Sequence, residues 1–384
     1  MKKLSFITLI IFFAFGSCNY NSDKKQSLVV ISEKDVTHIN DTLIYEIIDS
    51  ISIIPLDETP ECLLGDIRKI QKNNNEYYIM SEGSNRLSEI YRFSHDGRFL
   101  NKIGRLGNAR SEYIRIGSFF VYDEKVYVAD LNKNRIVIYN IDGKFIDSYK
   151  DNENIKFLHE MFAIDDDRAL FSYNINFSDD GILYEIIDLK NFKSLHTIPT
   201  NYKAEGCFPF SQKEIGIKGK STMITLPFDN TIYEMNKDNY SLDKRYSLGL
   251  FGKIPSFDSN DYEEVLTAFE ESETNILCGF YVSNDKILFN STKGSVLWYT
   301  DSNKGIFLNN GFDLRKTKHF PFFPLSVCYS DEEGFYSIFT SEEFLSMLPE
   351  NILEKENGIR RLTEIDKIRE NKNSVIVKYI LKPL

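Results

Sequence analysis

The sequence lacks several features that would assign it to a biochemical class. Its 384 residues include one Trp and five Cys, and 57 acidic side chains outnumber 46 basic ones, which gives a formal net charge of −11. This acidic balance argues against nucleic acid as a partner. No apolar run beyond the first residues is long enough to cross a bilayer, so the rest of the chain is not expected to span a membrane.

The cysteines and histidines do not form a metal-binding pattern. Cys62, Cys207, Cys278 and Cys328 are scattered, without the close pairs of zinc sites, and the five histidines are isolated. We therefore predict no metal and no cofactor. Four cysteines in an exported protein permit three disulfide pairings, and four reduced thiols are an equal alternative, so the sequence leaves their redox state open.

Catalytic arrangements are also missing from the sequence. No serine or cysteine lies in a G-x-S-x-G elbow, the strained turn that exposes a nucleophile. The acidic stretches Asp165–Asp167 and Asp179–Gly181 lack the alternating spacing of calcium loops and are typical of hairpin turns. These observations favour a binding protein and leave an enzyme as the alternative.

The N-terminus has the order of segments found in a secretory signal peptide. Lys2 and Lys3 precede the apolar run 4–15, and small residues follow before Cys18. We predict that residues 1–17 are removed on export. Cleavage would remove two lysines and no acids, which changes the formal net charge from −11 to −13.

The residues around Cys18 indicate a lipid anchor. Phe15-Gly16-Ser17-Cys18 resembles the lipobox of bacterial lipoproteins, in which the cysteine is acylated and becomes the new N-terminus. Each buried CH₂ contributes about 0.8 kcal/mol, so several acyl chains would hold the protein firmly to a membrane. We predict a flexible tether over 18–40 and an outer-membrane location, with the periplasmic or surface side left open.

Short alternating segments recur along the rest of the chain and predict β-strands. Ile90–Leu100 resembles Val137–Ile146, and their Asp-Gly hairpin turns lie 46 residues apart. Weaker echoes follow at 183–192, 231–238 and 295–301. A period of about 40–50 residues that holds four strands is typical of β-propeller blades.

The repeats predict an all-β domain over 41–384, a six-bladed β-propeller of four-stranded antiparallel blades. Five blades are visible, and a sixth would combine Gly334–Phe339 with the terminal strand Ser374–Lys382. The early segment Thr42–Leu56 would complete that blade, so that N- and C-terminal strands close the ring and leave no long open edge. Helical insertions are expected near 258–275 and 341–371, and we expect a monomer.

Several stretches between Asn85 and Lys144 carry a family resemblance. Val126–Asp130, Asn134–Ile136 and Asp142–Lys144 resemble the NHL repeat, and the whole chain is similar to six-bladed β-propeller lipoproteins of Bacteroides-like bacteria. Those proteins place a Gly-Arg-x-Gly-x-Gly-Pro-Gly-Glu-Tyr stretch after the first Asp-Gly hairpin, where this chain has Gly104–Tyr113. The resemblance implies the fold and an envelope location, and it implies no particular activity.

The segment Gly104–Arg115 is the most unusual local feature. Its candidate ligand-binding residues are Arg105, Arg110, Glu112, Tyr113 and Arg115. Guanidinium groups bind carboxylate, sulfate or phosphate through paired N–H donors. The structural alternative is a crossing between blades in which Arg105 and Glu112 pair with each other or with backbone carbonyls.

Asp130 and Arg135 match the Asp and Arg of the NHL repeat. The resemblance implies that they hydrogen-bond within a blade and hold adjacent strands together, a structural role. The function expected from the whole sequence is a cell-envelope lipoprotein that binds a peptide, a glycan or an envelope protein. The alternative is an envelope lyase or hydrolase that acts on a glycan or small ester at the propeller axis.

Overall fold

The computed structural model describes most of the chain as a ring of β-sheets. The described residues are 27–39, 46–150, 153–174, 181–199, 215–218, 221–255, 262–272, 274–309, 322–348 and 362–384. Cys18, Cys207 and the predicted signal peptide lie outside them. No helix within these ranges is long and apolar enough to cross a membrane.

Three strands precede the first complete blade. They are β1 (Val29–Ile31), β2 (Val36–His38) and β3 (Ile48–Pro55). The first two blades follow in chain order. Blade 1 consists of β4 (Asp66–Asn73), β5 (Glu76–Glu82), β6 (Ser88–Phe93) and β7 (Phe99–Ile103), and blade 2 of β8 (Ile116–Tyr122), β9 (Lys125–Asp130), β10 (Arg135–Asn140) and β11 (Phe145–Lys150).

The next three blades repeat the same antiparallel order. Blade 3 consists of β12 (Leu158–Ala163), β13 (Arg168–Tyr173), β14 (Ile182–Asp188) and β15 (Ser194–Pro199). Blade 4 consists of β16 (Ile215–Lys218), β17 (Ser221–Thr225), β18 (Thr231–Met235) and β19 (Leu242–Leu248). Blade 5 consists of β20 (Leu277–Ser283), β21 (Lys286–Ser291), β22 (Gly294–Tyr299) and β23 (Lys304–Asn309).

The sixth blade joins the two ends of the chain and confirms the predicted closed ring. It consists of β24 (Val327–Asp331), β25 (Gly334–Phe339), β26 (Val375–Leu381) and the early strand β3. β26 pairs antiparallel with β3, with Val377 opposite Ile53. The fold is therefore the predicted all-β, six-bladed propeller, and each sequence echo coincides with the third strand of a blade.

The hydrophobic core is divided into six clusters, each shared by two neighbouring blades. Between blades 1 and 2, Tyr78 of β5 packs with Phe119 and Val128 of the next sheet. Between blades 5 and 6, Leu288 packs with Phe335 and other apolar side chains of blade 6. The inner strands explain this division, because they bury side chains on both faces, as in β9, where five consecutive residues are buried.

Blades 4 and 5 each carry an additional outer strand from the N-terminal segment. β1 pairs parallel with β19, and β2 pairs parallel with β23. Ile31 is fully buried against blades 4 and 5, whereas Val30 is 56% exposed. We call residues 29–38 the N-terminal strap. The sequence predicted a flexible tether over 18–40, and this part of that segment lies docked on the propeller.

The helices of the described residues lie in connections between strands. α1 (Tyr262–Ser272) separates blades 4 and 5, while α2 (Ser341–Met347) and α3 (Leu362–Glu370) separate β25 from β26. They fall within the two predicted insertions. Because strands alternate in direction within a blade, these connections and the segment Gly104–Arg115 lie on the same face of the ring, opposite the Asp-Gly hairpin turns.

Candidate functional site

A cavity of about 390 Å³ lies at the axis of the propeller. Its lining comes from the innermost strands of five blades, namely β4, β12, β16, β20 and β24. Innermost strands of neighbouring blades contact one another around the ring, for example β4 with β8 and β8 with β12. The propeller thus brings together side chains that are far apart in the chain.

A buried ion pair joins blades 1 and 3 in this cavity. Nζ of Lys69, on β4, donates a hydrogen bond to Oε1 of Glu160, on β12. The same ammonium donates to Oγ of Ser118 at 3.1 Å and to the backbone carbonyl of Met161 at 3.2 Å. The three N–H donors of Lys69 are therefore all used within the protein.

Glu160 receives its hydrogen bonds on one oxygen. Besides Lys69, Oγ of Ser118 donates to Oε1 at 2.5 Å, and the backbone N–H of Met161 donates to it at 3.1 Å. None of the described residues donates a hydrogen bond to Oε2, and the Glu160 side chain remains 29% exposed. Since Glu160 lines the cavity, Oε2 is available as an acceptor there.

Electrostatics hold this pair in its charged form. Burial lowers the pKa of Lys69, and the attraction of Glu160 opposes that shift. Burial by itself would raise the pKa of Glu160, but the charge and hydrogen bond of Lys69 and the hydroxyl of Ser118 together bring that pKa below its usual value. The ammonium also lies 4.8 Å from the ring centroid of Phe162, within range of a cation–π interaction.

Other polar side chains of the cavity bridge neighbouring blades. The Gln71 amide donates to the carbonyl of Val121 at 3.0 Å and accepts from its N–H at 2.9 Å. Oγ of Ser330 accepts from the N–H of Val282 at 3.0 Å. Tyr281 also lines the cavity, and burial raises the pKa of its hydroxyl, so the phenol stays neutral.

The segment Gly104–Arg115 is organised around the Glu112 carboxylate. Nε of Arg105 lies 2.7 Å from Oε1 of Glu112, and the N–H of Ala109 donates to Oε2 at 2.9 Å. Gly107 adopts a φ of 154°, and a Cβ there would lie 2.1 Å from Oε2. Glycine is therefore required at 107 for the loop to close on the carboxylate.

Two cations from blade 2 hold the backbone of the same loop. Nζ of Lys133 donates to the carbonyls of Gly107 at 3.0 Å and Ala109 at 3.3 Å. Arg135 donates to the carbonyl of Arg110 at 2.9 Å and to those of Ala109 and Glu112. These bonds satisfy carbonyl groups that have no strand partner.

Asp130 and Arg135 lie side by side as an ion pair, without the side-chain hydrogen bond that the resemblance implied, and both also anchor the loop. Nε of Arg135 lies 3.5 Å from Oδ2 of Asp130, which is completely buried. Oδ1 of Asp130 accepts from the N–H groups of Ile114 and Arg115, each at 3.3 Å. The pair therefore fixes the crossing between blades 1 and 2 as well as two strands of blade 2.

The remaining loop residues are spread over different environments. Tyr113 is buried and donates its hydroxyl hydrogen to the carbonyl of Ile103 at 3.0 Å. Arg110 is exposed and pairs with Asp147 at 3.0 Å, while Arg115 is exposed. The observed contacts favour the structural alternative for this loop, and its role in ligand binding stays a prediction.

The cysteines and acidic clusters supply no metal centre within the described residues. No group of three or more His, Cys, Asp or Glu side chains there is arranged to hold a metal ion. Cys62 is buried, Cys278 half-buried and Cys328 exposed, and none of the three is in a disulfide. Cys328 lines the axial cavity, which places a reactive group at the site.

The axial residues did not stand out in the sequence. Lys69 and Glu160 are 91 residues apart, and Ser118 lies between them, so no local motif contains the cluster. The signal that the sequence offered was their position, because Lys69, Ser118 and Glu160 are each a polar residue in the first strand of a repeat. Innermost strands converge on the axis, and that convergence alone brings the three side chains together.

Two crystal structures from Bacteroides species share the fold. One, described as a "Putative exported protein" of Bacteroides fragilis NCTC 9343, has 16% sequence identity and a TM-score of 0.69, and the match covers 93% of this chain and 100% of that one. The other, a member of the DUF4221 family from Bacteroides vulgatus, has 13% identity and a TM-score of 0.55, with 88% and 98% covered.

The comparison with family models finds one match over most of the chain. The model described as "Domain of unknown function (DUF4934)" matches residues 27–379. That range begins just before the N-terminal strap and ends within β26, so it includes every blade. No curated protein matches the chain.

Proposed function

The chain belongs to the DUF4934 family, and from its axial site we propose that it is an exported, lipid-anchored envelope protein whose propeller binds a ligand in the axial cavity. The anchor rests on Cys18 and the signal-like residues before it. Export is further supported by the Bacteroides fragilis protein of the same fold, which is described as exported.

The observation that carries the binding proposal is the unused carboxylate oxygen in the cavity. Pockets for small molecules are concave, largely apolar and supplied with a few well-placed polar groups, and they occupy about 300–1,000 Å³. The axial cavity falls in this range and combines aromatic side chains with Oε2 of Glu160. Its size suits a small ligand or the end of a peptide or glycan.

Catalysis at the axis is the second candidate, since polar side chains from blades 1, 2 and 3 meet there. A lyase or hydrolase needs an acid and a base with pKa values moved apart by unlike environments. Here Glu160 is held ionised by Lys69, and that lysine has no donor left. Turnover of envelope polysaccharides or small esters, lost in Glu160→Gln, would establish the enzyme in place of the binding protein.

The anchor is tested by fractionating cells that express the full chain. We expect Cys18→Ala to move the protein from the membrane to the soluble fraction, because the acyl chains cannot be attached. Cys278→Ala, which removes a half-buried thiol of blade 5, is the matched control and should stay with the membrane. Retention of Cys18→Ala in the membrane would show that Cys18 is not the anchor.

Ligand binding in the cavity is tested by blocking Cys328 after folding. The full chain in detergent is mixed with neutral sugars, amino sugars, acidic sugars and short peptides, before and after alkylation with N-ethylmaleimide. We expect one class to raise the melting temperature, and alkylation to abolish that shift. The variant Cys328→Ser, treated identically, should keep it; a shift that survives in the alkylated wild type, or no shift with any class, contradicts the proposal.

A further inference from the structure

We infer that the axial cavity is built for a neutral, polyhydroxylated ligand, such as one or two saccharide rings, an inference that rests on the proposed binding function. Three observations lead to it. They are the saturation of the axial cation, the charge balance of the ion pair and the free acceptor beside aromatic side chains. Each excludes or favours a class of ligand.

Saturation of Lys69 disfavours an anionic ligand. A carboxylate or phosphate in the cavity would need a cation whose charge is not already compensated by a carboxylate of the protein. Lys69 gives its donors to Glu160, Ser118 and the backbone of Met161. Arg68, which also lines the cavity together with His159, has its charge compensated by two carboxylates: its Nε lies 3.0 Å from Glu82 and its Nη2 lies 3.9 Å from Asp66.

The charge balance of the ion pair disfavours a cationic ligand. Glu160 is already compensated by Lys69, whose side chain is only 11% exposed. A second cation beside Glu160 would add an uncompensated positive charge next to the largely buried ammonium of Lys69, which is costly. Asp331, also at the cavity, lies 3.5 Å from Nζ of Lys72 and accepts from the Tyr336 hydroxyl. A neutral O–H donor leaves the charges of Glu160 and Asp331 compensated by their lysines.

The remaining chemistry of the cavity suits hydroxyl groups and sugar rings. Oε2 of Glu160 accepts no hydrogen bond from the described residues, and an O–H donor to a carboxylate forms one of the stronger hydrogen bonds in proteins. Phe162, Tyr281 and Tyr329 line the same space. Aromatic side chains offer large apolar surfaces against which the C–H groups of a sugar ring can pack.

The inference is tested with ligands of one size that differ in charge. Calorimetry on the full chain in detergent compares glucose, galactose, mannose, N-acetylglucosamine and their disaccharides with glucosamine, a cation, and glucuronate, an anion. We expect a neutral sugar to bind at least tenfold more tightly than both charged sugars, and alkylation of Cys328 to abolish this binding.

The variant Glu160→Gln tests the acceptor directly. Its amide would turn the carbonyl oxygen to Lys69 and present N–H groups to the cavity, so we expect at least a tenfold rise in the Kd of the neutral sugar. Glu124→Gln removes the same charge from an exposed turn residue that does not line the cavity and should change the Kd less than twofold. If Glu160→Gln does not fold, the calorimetric comparison of neutral and charged sugars on the wild type tests the neutral-ligand inference by itself.

The outcomes separate this inference from the proposed function. Preferred binding of glucosamine, glucuronate or a peptide, abolished by alkylation of Cys328, would overturn the neutral-ligand inference and leave the cavity as a binding site. Equal affinity for neutral and charged sugars would overturn it too. Absence of binding by every class would overturn both, whereas an unchanged neutral-sugar Kd in folded Glu160→Gln would remove the role of Glu160.

Discussion

At the scale of single residues, Glu160 combines two tasks in one carboxylate. Oε1 collects hydrogen bonds from Lys69, Ser118 and the backbone of Met161, which fix the side chain across three blades. Oε2 accepts no hydrogen bond from the described residues and is available in the cavity. A side chain that is held on one oxygen and exposed on the other is pre-organised for a ligand, because little conformational freedom remains to be lost on binding.

Removing one partner of the Lys69–Glu160 ion pair should lower the free energy of unfolding more than removing both charges. Lys69→Met would leave the Glu160 carboxylate without its counter-charge, and we expect a loss of about 3 kcal/mol in the free energy of unfolding. The double variant Lys69→Met/Glu160→Gln has no unpaired charge and should recover at least half of that loss. Denaturant unfolding of both variants measures the difference. A double variant no more stable than Lys69→Met would contradict the pairing described for the axis.

At the scale of secondary-structure elements, the N-terminal strap turns blades 4 and 5 into five-stranded sheets. Its strands pair in parallel with β19 and β23, so they cover backbone groups at two outer edges. Exposed sheet edges invite pairing with other chains, and coverage by a strap removes that hazard.

Two neighbouring residues of the strap provide a matched test of its docking. Ile31 is buried between the strap and blades 4 and 5, so Ile31→Ala should lower the free energy of unfolding by about 2–5 kcal/mol. Val30 on the other face of β1 is 56% exposed, and Val30→Ala should change it by less than about 0.5 kcal/mol. Equal effects in denaturant unfolding would show that the strap is not docked in solution.

At the scale of the whole molecule, the ring is closed by strand pairing within blade 6 and by an ion pair between blades 6 and 1. The pairing of β26 with β3 joins the chain ends within blade 6. Glu333, in the turn between β24 and β25, then bridges to blade 1: Nζ of Lys72 lies 2.6 Å from its Oε1, and Lys378 of β26 donates to its Oε2. The Lys72 pair joins the last blade to the first, and the Lys378 pair holds Glu333 within blade 6.

This closure should depend on pH at the acidic end. Hydrogen bonds from Lys378 and Lys72 lower the pKa of Glu333 to about 2 from an ordinary value of 4.5. Because the folded-state pKa is the lower one, the stabilisation is complete above about pH 4.5 and disappears as the pH falls through about 2. Melting temperatures between pH 5 and pH 2 should therefore fall more steeply in the wild type than in Glu333→Gln.

The adjacent residue supplies the control for that experiment. Glu332→Gln keeps both ion pairs of Glu333, so it should show the pH dependence of the wild type. If Glu333→Gln and Glu332→Gln lose thermal stability in parallel with the wild type, the bridge between blades 6 and 1 contributes nothing to stability in solution.

The architecture of this protein can be derived from its amino-acid sequence. Alternation of apolar residues with a period of two, Asp-Gly turns 46 residues apart and strands at both ends are local or periodic signals. They predicted six blades and a ring closed by β3 and β26, and the structure confirms this. The local motif Gly104–Tyr113 was visible for the same reason, since its glycines and charges are contiguous.

The polar cluster at the axis could not be derived from the sequence. Lys69, Ser118 and Glu160 come from three blades, and their contact depends on the innermost strands meeting at the axis. The strap was likewise beyond the sequence, because its short strands form only where blades 4 and 5 offer unpaired edges. Periodic patterns fix which residues form each blade, whereas contacts between distant blades depend on how the ring closes.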